Sequence, residues 1–566
     1  MNLNFHLFDH KNKTIYTKKM KSLTYLWLLI IIFACVPHNR NEIIAEQWKE
    51  TELTFNSTET YANPYTEVEF WVEFTDQNGN KLVRPGFWYE GNTWKVRFAS
   101  PVDQGSWHWL SFSSVNDNGL TGKSGKITAV PYSGDNSLIS NGLLRMSKGG
   151  RTVVDASGKP FLVIADTPWA LPWRGTIETV TEYAQNRQER GFNTALLMSL
   201  MPDSGTEGPR SRTEPGGFDV AFEDLKDGHI NLLNPEYFKY FDELRNILLL
   251  HGIVPVFQPV FHGYGWKGNN ILGWNMDPQE YARYCRYLVA RYGAGPAMWL
   301  VSGDSDSRNP GIIEGGVEIE KWDAYQQPTG QHYSPFCEVA PEWWNGPVEY
   351  SPHLNKVNQD AEWLDFQWCQ TGHGGEHLPH KVFKMYDNVP VKAVANGEPT
   401  YEGIRDHENG AGWWQGHEAW LNFTSGGTMG HVYGAGGLWN WKLTPDEPGW
   451  PAWANSNVSW REAIELPGAV YVGYMGKALE GLDITDIQRH HELAGGQLCL
   501  AHPGELYIVY LPEGGKVKLE KLPQRGTVRW FDPKMGEFVK SDALAEGENE
   551  FTAPEKAPFV LIVNEL

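Results

Sequence analysis

The chain has 566 residues, room for two to four domains of ordinary size, one of which can be a barrel of roughly 250 residues. Its formal charge of −21 at pH 7 excludes a nucleic-acid partner, because phosphates demand a basic surface. Aromatic residues make up 13% and Trp alone numbers 26; sugar rings present flat C–H faces that stack on indole, so a carbohydrate partner fits, although large cores use the same residues.

At the N-terminus, Lys18, Lys19 and Lys21 precede an apolar run, Leu26 to Ala34, that ends at Cys35. A basic stretch, a short apolar core and a small residue read as a signal peptide over residues 1–34. The run is too short to cross a bilayer as a helix. Ile32-Phe33-Ala34-Cys35 is similar to a bacterial lipobox, in which Cys35 is lipidated and becomes the first residue. The expectation is a lipoprotein of the bacterial periplasm or cell surface, lipid-anchored to a membrane. Simple secretion and an uncleaved anchor are the alternatives. The other cysteines, Cys285, Cys337, Cys369 and Cys499, have no zinc-type spacing. One pair could bridge in an oxidising compartment, or all could be buried thiols.

Residues 45–135 alternate apolar and polar side chains in short runs, as in Val68-Glu69-Phe70-Trp71-Val72, with turn signals such as Asn78-Gly79 between them. That pattern predicts an N-terminal β-sandwich. Residues 136–475 alternate strand-like runs with amphipathic helices, which predicts βα units and a parallel sheet. Eight strands are expected: Phe161–Ala165, Thr194–Ser199, Val254–Pro259, Met298–Ser302, Gln331–Ser334, Leu364–Trp368, Val391–Ala395 and Gly437–Trp441. Helices are expected at Glu178–Arg190, Tyr237–His251 and Pro278–Tyr292, with Trp460–Tyr474 closing the set. Eight such units predict an α/β protein with a (β/α)8 TIM barrel. A doubly wound sheet is the alternative, but no Gly-rich phosphate turn follows the first strand. Residues 476–566 return to strand patterns such as Leu506-Tyr507-Ile508-Val509-Tyr510 and predict a C-terminal β-sandwich.

In such a barrel the chemistry sits at the C-terminal ends of the strands. In chain order these ends carry Asp166 and Trp169; Asp203; His262; Asp304 and Asp306; His332; Gln370 and His373; Glu398, Tyr401 and Glu402; and Trp439 and Trp441. Glycosidic hydrolysis needs one carboxylic acid to protonate the leaving oxygen and one carboxylate to attack or to activate water. The fourth and seventh strands lie across the barrel, so Asp304 and Glu398 are the candidate catalytic pair. Each residue also has an ordinary reading: Asp304 as a turn residue, Glu398 as a solvated loop residue, His332 as a satisfied core histidine.

Several motifs resemble, in order, those of the apiosidase-like glycoside hydrolases. They are Phe161-Leu162-Val163-Ile164-Ala165-Asp166-Thr167-Pro168-Trp169, Gly191-Phe192-Asn193-Thr194, Leu233-Asn234-Pro235-Glu236-Tyr237-Phe238 and Trp299-Leu300-Val301-Ser302-Gly303-Asp304. Gln370-Thr371-Gly372-His373, Glu398-Pro399-Thr400-Tyr401-Glu402-Gly403 and Gly434-Ala435-Gly436-Gly437-Leu438-Trp439 complete the series. The resemblance covers residues 135 to 475 and extends to the N-terminal sandwich, through Pro85-Gly86-Phe87-Trp88-Tyr89 and Trp94-Lys95-Val96-Arg97-Phe98.

The resemblance implies a retaining mechanism with Asp304 as acid/base and Glu398 as nucleophile. It implies an oligosaccharide or polysaccharide substrate, a plant cell-wall or related complex glycan, with apiose as the family's sugar. Substrate-binding roles are expected for Asp166, Trp169, His262, His332, Gln370, His373, Tyr401 and Glu402, with a stacking wall from Trp439 or Trp441. Ala165 replaces the family's usual Gly, Ser302 and Ser305-Asp306-Ser307 flank Asp304 unusually, and Asp306 is a rival acid. An insertion from Asp203 to Asp227, with Arg210 and Arg212, reshapes the rim. No cofactor and no metal motif is read, a structural Ca2+ on loop aspartates is left open, and a monomer is expected. The competing reading is a non-catalytic glycan-binding lipoprotein that keeps the barrel as a scaffold. Least favoured are sandwiches that act as adhesion modules.

Overall fold

Eight parallel strands close into a barrel in sequence order. They are β1 (Val163–Asp166), β2 (Thr194–Met198), β3 (Val254–Gln258), β4 (Met298–Leu300), β5 (Thr329–His332), β6 (Phe366–Gln370), β7 (Ala393–Glu398) and β8 (Gly430–Tyr433). The computed structural model describes residues 43–263, 266–267, 270–305, 309–334, 356–373, 380–404, 412–451 and 455–565. Residues 1–34, Cys35, Asp306 and Cys337 lie outside the described residues. Every residue of the eight strands is buried, as expected where helices cover one face of a parallel sheet and packed side chains the other.

Local chemistry sets the helices. α1 (Ile177–Glu189) opens on a capping box between Thr176 and Thr179. α2 (Pro235–Leu250) and α3 (Pro278–Tyr292) each begin with Pro after a capping side chain, Asn234 and Asp277. α4 (Trp413–Thr424) follows β7, and α5 (Gly468–Leu479) closes the barrel.

The first seven strands keep their places with ends moved by no more than three residues, and two expectations change outright. The eighth strand is Gly430–Tyr433, and it pairs with β1 through Val163 and Gly430. Gly437–Trp441 is instead a series of turns beyond it. Gly437 has φ +82°, and a Cβ there would strike the Val458 carbonyl, so the chain bends where aromatic content suggested a strand. The predicted closing helix Trp460–Tyr474 is broken into Trp460–Ala463 and α5. Pro467 lies between them and pushes Leu466 away from helical geometry.

Ahead of the barrel, a five-stranded and a three-stranded sheet face each other. Leu53, Phe70, Val72, Phe74, Trp94, Val96 and Phe98 alternate inward to form their core. Arg97, on the strand Thr93–Phe98, reaches out of this sandwich to Asp242 of α2 at 2.7 Å, and Arg291 of α3 meets the same carboxylate at 2.8 Å. Although burial opposes it, the charges of Arg291 and Arg97 hold the Asp242 carboxyl down at about 2. After the barrel, a six-stranded sheet pairs with a two-stranded one. The six-stranded sheet docks on α4, where Tyr510 bonds His417 at 2.7 Å and stacks on Trp420. Cys285 and Cys499 are buried free thiols, and Cys369 is buried as well. Among the described residues, no helix is long and apolar enough to cross a membrane.

Candidate functional site

Glu398 is the last residue of β7, and a bulge aims it. In the β6–β7 pairing Cys369 faces Asn396 but Gln370 faces Glu398, so Gly397 is skipped. A Cβ on Gly397 would collide with the Trp368 side chain, so glycine permits the bulge. Bulges of this kind redirect the next side chain at a barrel rim. Glu398 thereby enters a nest of rings. His373 Nε2 lies 2.8 Å from Oε1, and His332 Nε2 lies 3.5 Å from Oε2.

The His373 ring carries a proton argument. Its Nδ1 lies 2.8 Å from the Pro399 carbonyl. A carbonyl oxygen only accepts, so Nδ1 bears the hydrogen. Nε2 then meets a carboxyl oxygen at hydrogen-bond distance, and that contact is attractive only with a second proton between them. The contact is therefore satisfied when His373 Nε2 offers a hydrogen to the Glu398 carboxylate. His332 is different. Burial pushes it down to about 4 against the Glu398 charge, so its ring is neutral. Trp169 lies parallel to His332 at 6.2 Å, and its Nε1 donates to Tyr401 Oη at 2.9 Å. Tyr401 in turn packs on His373 with ring centroids 4.3 Å apart. Trp169, Tyr401, His332 and His373 thus form a closed ring of support around one carboxylate.

Asp304 follows β4. It is partly exposed, and its Oδ1 is buried without a protein partner. Burial, and then the negative charge of Glu398, push its carboxyl well above the usual carboxylate range. The two acids therefore act on each other within one environment. The backbone of Asp304 is left-handed, φ +50°, a conformation Asp tolerates better than most residues. A Cβ on Gly263, in the loop after β3, would overlap the Asp304 carboxyl, so Gly263 leaves the room that Asp304 fills.

The other expected site residues divide. Gln370 ends β6 beside Glu398, with its Oε1 buried and without a protein partner. Trp439 belongs to an aromatic wall: it packs edge-on to Trp450, which packs on Trp266. His262 sits against Tyr281 of α3, and burial drives it down to about 3, a neutral ring whose nitrogens meet no protein partner. It is not among the groups placed against Glu398.

Three expected sugar contacts are corrected. Asp166 is fully buried and pairs with Arg187 of α1, with Tyr183 Oη 3.2 Å away, so it faces the helix layer. Glu402 is buried and accepts from Tyr433 Oη and from the Gly412 and Gly468 amides, which makes it a loop anchor. Trp441 is fully buried and stacks on Trp460 at 4.8 Å.

The sequence assigns no site role to Ser199, Gln258 or Asn440, and marks Ser302 only as an unusual neighbour of Asp304. All are buried, with side-chain polar atoms that have no protein partner. Ser199 and Ser302 lie just beyond β2 and β4, and Gln258 ends β3. For Ser199, Gln258 and Ser302 the signal was a polar residue closing an apolar run. Glu447 was missed as well. It accepts two bonds from Arg174, at 2.8 and 2.9 Å, and others from the Gly216 and Leu443 amides, so one carboxylate ties three rim loops. A cavity of about 920 Å³ opens elsewhere, lined by Phe161, Leu162, Gly191, Tyr474 and Leu482. Phe161 and Gly191 precede β1 and β2 in the chain, so it lies at the opposite end of the barrel from Glu398 and contains none of the acids just described. Among the described residues, no three His, Cys, Asp or Glu side chains are grouped to hold a metal ion.

The family model described as "Apiosidase-like, catalytic domain" matches residues 147–486, more than half of the chain. This chain belongs to the apiosidase-like family. It is a glycosidase by that membership. A domain of unknown function matches residues 44–114, and a domain described provisionally as collagen-binding in a collagenase matches residues 490–564. Among solved structures, the apiosidase-like chain is similar to a glycoside hydrolase with TM-score 0.59 and 19% identity, covering 75% of this chain and 97% of that one. It is also similar to a glycoside hydrolase family 5 protein from Bacteroides vulgatus, with TM-score 0.57 and 20% identity over 75% and 93% of the two chains. A structure provisionally titled a glycoside hydrolase, from the same species, has TM-score 0.64 and 15% identity over 93% and 100%. At such identities these likenesses speak for the fold. No curated protein matches the chain.

Proposed function

We propose that this glycosidase works with retention, using Asp304 as acid/base and Glu398 as nucleophile on a sugar of a plant cell-wall or related complex glycan, apiose among the candidates. One observation carries the reading: Asp304, whose carboxyl is pushed well up by burial and by the Glu398 charge, shares an environment with a carboxylate that His373 contacts at 2.8 Å and His332 flanks at 3.5 Å. In the first step a Glu398 oxygen attacks the anomeric carbon. The bond to the leaving oxygen breaks, and the Asp304 proton moves to that oxygen. Glu398 is then an ester and no longer charged, so one cause of the raised Asp304 value disappears. Asp304 next takes a proton from water, the water oxygen attacks the anomeric carbon, and the bond to Glu398 breaks.

The deciding measurement is the anomer first released from an aryl glycoside, followed by proton NMR. Retention is expected, and first-formed product of inverted configuration would overturn the reading.

The pH profile follows from the Asp304 shift. A general acid must hold its proton, and its value in the folded enzyme is raised. Activity is therefore expected to persist above the ordinary carboxylate range and to fall as pH rises through the raised Asp304 value. In Asp304→Ala, assayed on a glycoside whose leaving group needs no proton, that alkaline limb should vanish. A limb that stays in place would assign it to another group.

A further inference from the structure

We propose that Glu418 is a positioning residue that fixes Glu398 and His373 against each other; the inference rests on Glu398 being the nucleophile. Glu418 lies on α4, fully buried. Its Oε1 accepts from Thr371 Oγ1 at 2.8 Å and its Oε2 from the Thr400 amide at 3.1 Å. Thr371 lies just beyond β6, two residues before His373, and Thr400 lies two residues after Glu398. One carboxylate therefore grips both turns that carry the reacting pair.

The grip extends to the Glu398 backbone. The Thr371 amide donates to the Glu398 carbonyl at 3.2 Å. Asn396 Nδ2 donates to Thr371 Oγ1 at 2.8 Å, while Asn396 Oδ1 accepts from the Glu398 amide at 3.3 Å. Both polar ends of Glu398's own backbone are thus held by Thr371 and Asn396, and Thr371 is held by Glu418. Gln415 Nε2 and Trp414 Nε1, also on α4, bond Thr400 O and Oγ1.

Only an ionised carboxyl accepts from both donors without offering a hydrogen of its own. Keeping it there is costly. Burial pushes the Glu418 carboxyl up to about 7, opposed by its bonds to Thr371 and Thr400 and by His373, the titratable group that acts on it. Its hydrogen-bond partners, Thr371 and Thr400, are neutral. An apolar residue would serve stability at least as well at such a place. A shifted acid behind a reactive pair is instead what a positioning role needs.

The test compares wild type, Glu418→Ala and Glu418→Gln. Glu418→Ala should lower kcat ~10–100-fold, as removal of a supporting partner does, with KM moving little. Glu418→Gln, which can still bridge the two turns, should recover part of the loss. The readout independent of turnover is the ring-nitrogen NMR signal of His373 in 15N-histidine-labelled protein, expected to move in both variants. Moved His373 signals in a chain that cleaves no glycoside would uphold the clamp while sinking the hydrolase reading. Unmoved His373 signals overturn the clamp. So does a kcat loss that matches the fraction unfolded, or a Gln variant no better than Ala.

Discussion

Asp304→Asn and Glu398→Gln should each lower kcat/KM toward an unactivated glycoside by ~10²–10⁴-fold or more, the scale of losing a positioned acid or a covalent nucleophile. Both variants should remain folded. Asp304 Oδ1 has no protein partner to lose, and Asn tolerates the left-handed φ of +50° that Asp304 adopts. Alanine there adds a backbone penalty of roughly 1–2 kcal/mol, so the Asn variant separates chemistry from folding. Glu398→Gln keeps the shape beside His373 and His332 but removes the charge that raises Asp304. With an activated leaving group the Asp304 variant should recover most of its first step, while the Glu398 variant should not. The opposite pattern would exchange the two roles. Wild type that binds glycans yet cleaves none, and binds equally well as either variant, would leave the barrel a scaffold. Glu402→Ala makes a poor control for the nucleophile, because it frees Tyr433 and two loop amides and so damages the fold.

Asp166→Ala should destabilise the protein by about 3–5 kcal/mol, the cost of stranding one member of a buried ion pair. Arg187 would be left among the rings of Tyr183, Phe192 and Tyr433 with its main anionic partner gone. Both side chains have no solvent exposure, so water cannot screen the loss. Urea unfolding measures it as a lower midpoint at unchanged slope. Replacing both residues together, as Asp166→Leu with Arg187→Met, should cost much less than the single change, because no charge is then left unpaired. A normal midpoint with a raised KM for Asp166→Ala would return this residue to the substrate cleft.

The contrast between Asp166 and Glu398 shows where the amino-acid sequence stops. Both end barrel strands and both carry carboxylates, yet one faces the helix layer and the other faces His373 and His332. A single residue of register decides which face a strand side chain takes, and at Glu398 the bulge at Gly397 sets that register. Runs such as Thr194–Met198 and Val254–Gln258 were legible because aliphatic strands bounded by turns have few other fates. Gly430-His431-Val432-Tyr433 was not, since it is only four residues long and the two tryptophans of the nearby Gly437–Trp441 drew the assignment. Asp304 and Glu398 were picked out as candidates from their places at the ends of opposite strands. The histidines that hold Glu398 were legible only as candidates, because ring orientation depends on Trp169 and Tyr401, far apart in the chain. Glu418 sits in no motif, and only the fold brings it behind β6 and β7.

Trimming this enzyme to its barrel would be unwise. Arg97 belongs to the first sandwich, yet it supplies half of the positive charge around Asp242. A fragment beginning where the barrel begins would carry that acid with one arginine instead of two. It would also bare the face of α3 now roofed by Phe87 and Tyr65. The sandwich is in this sense a missing wall of the barrel and not detachable cargo, so transplanting the catalytic half onto another carrier would require bringing its arginine along.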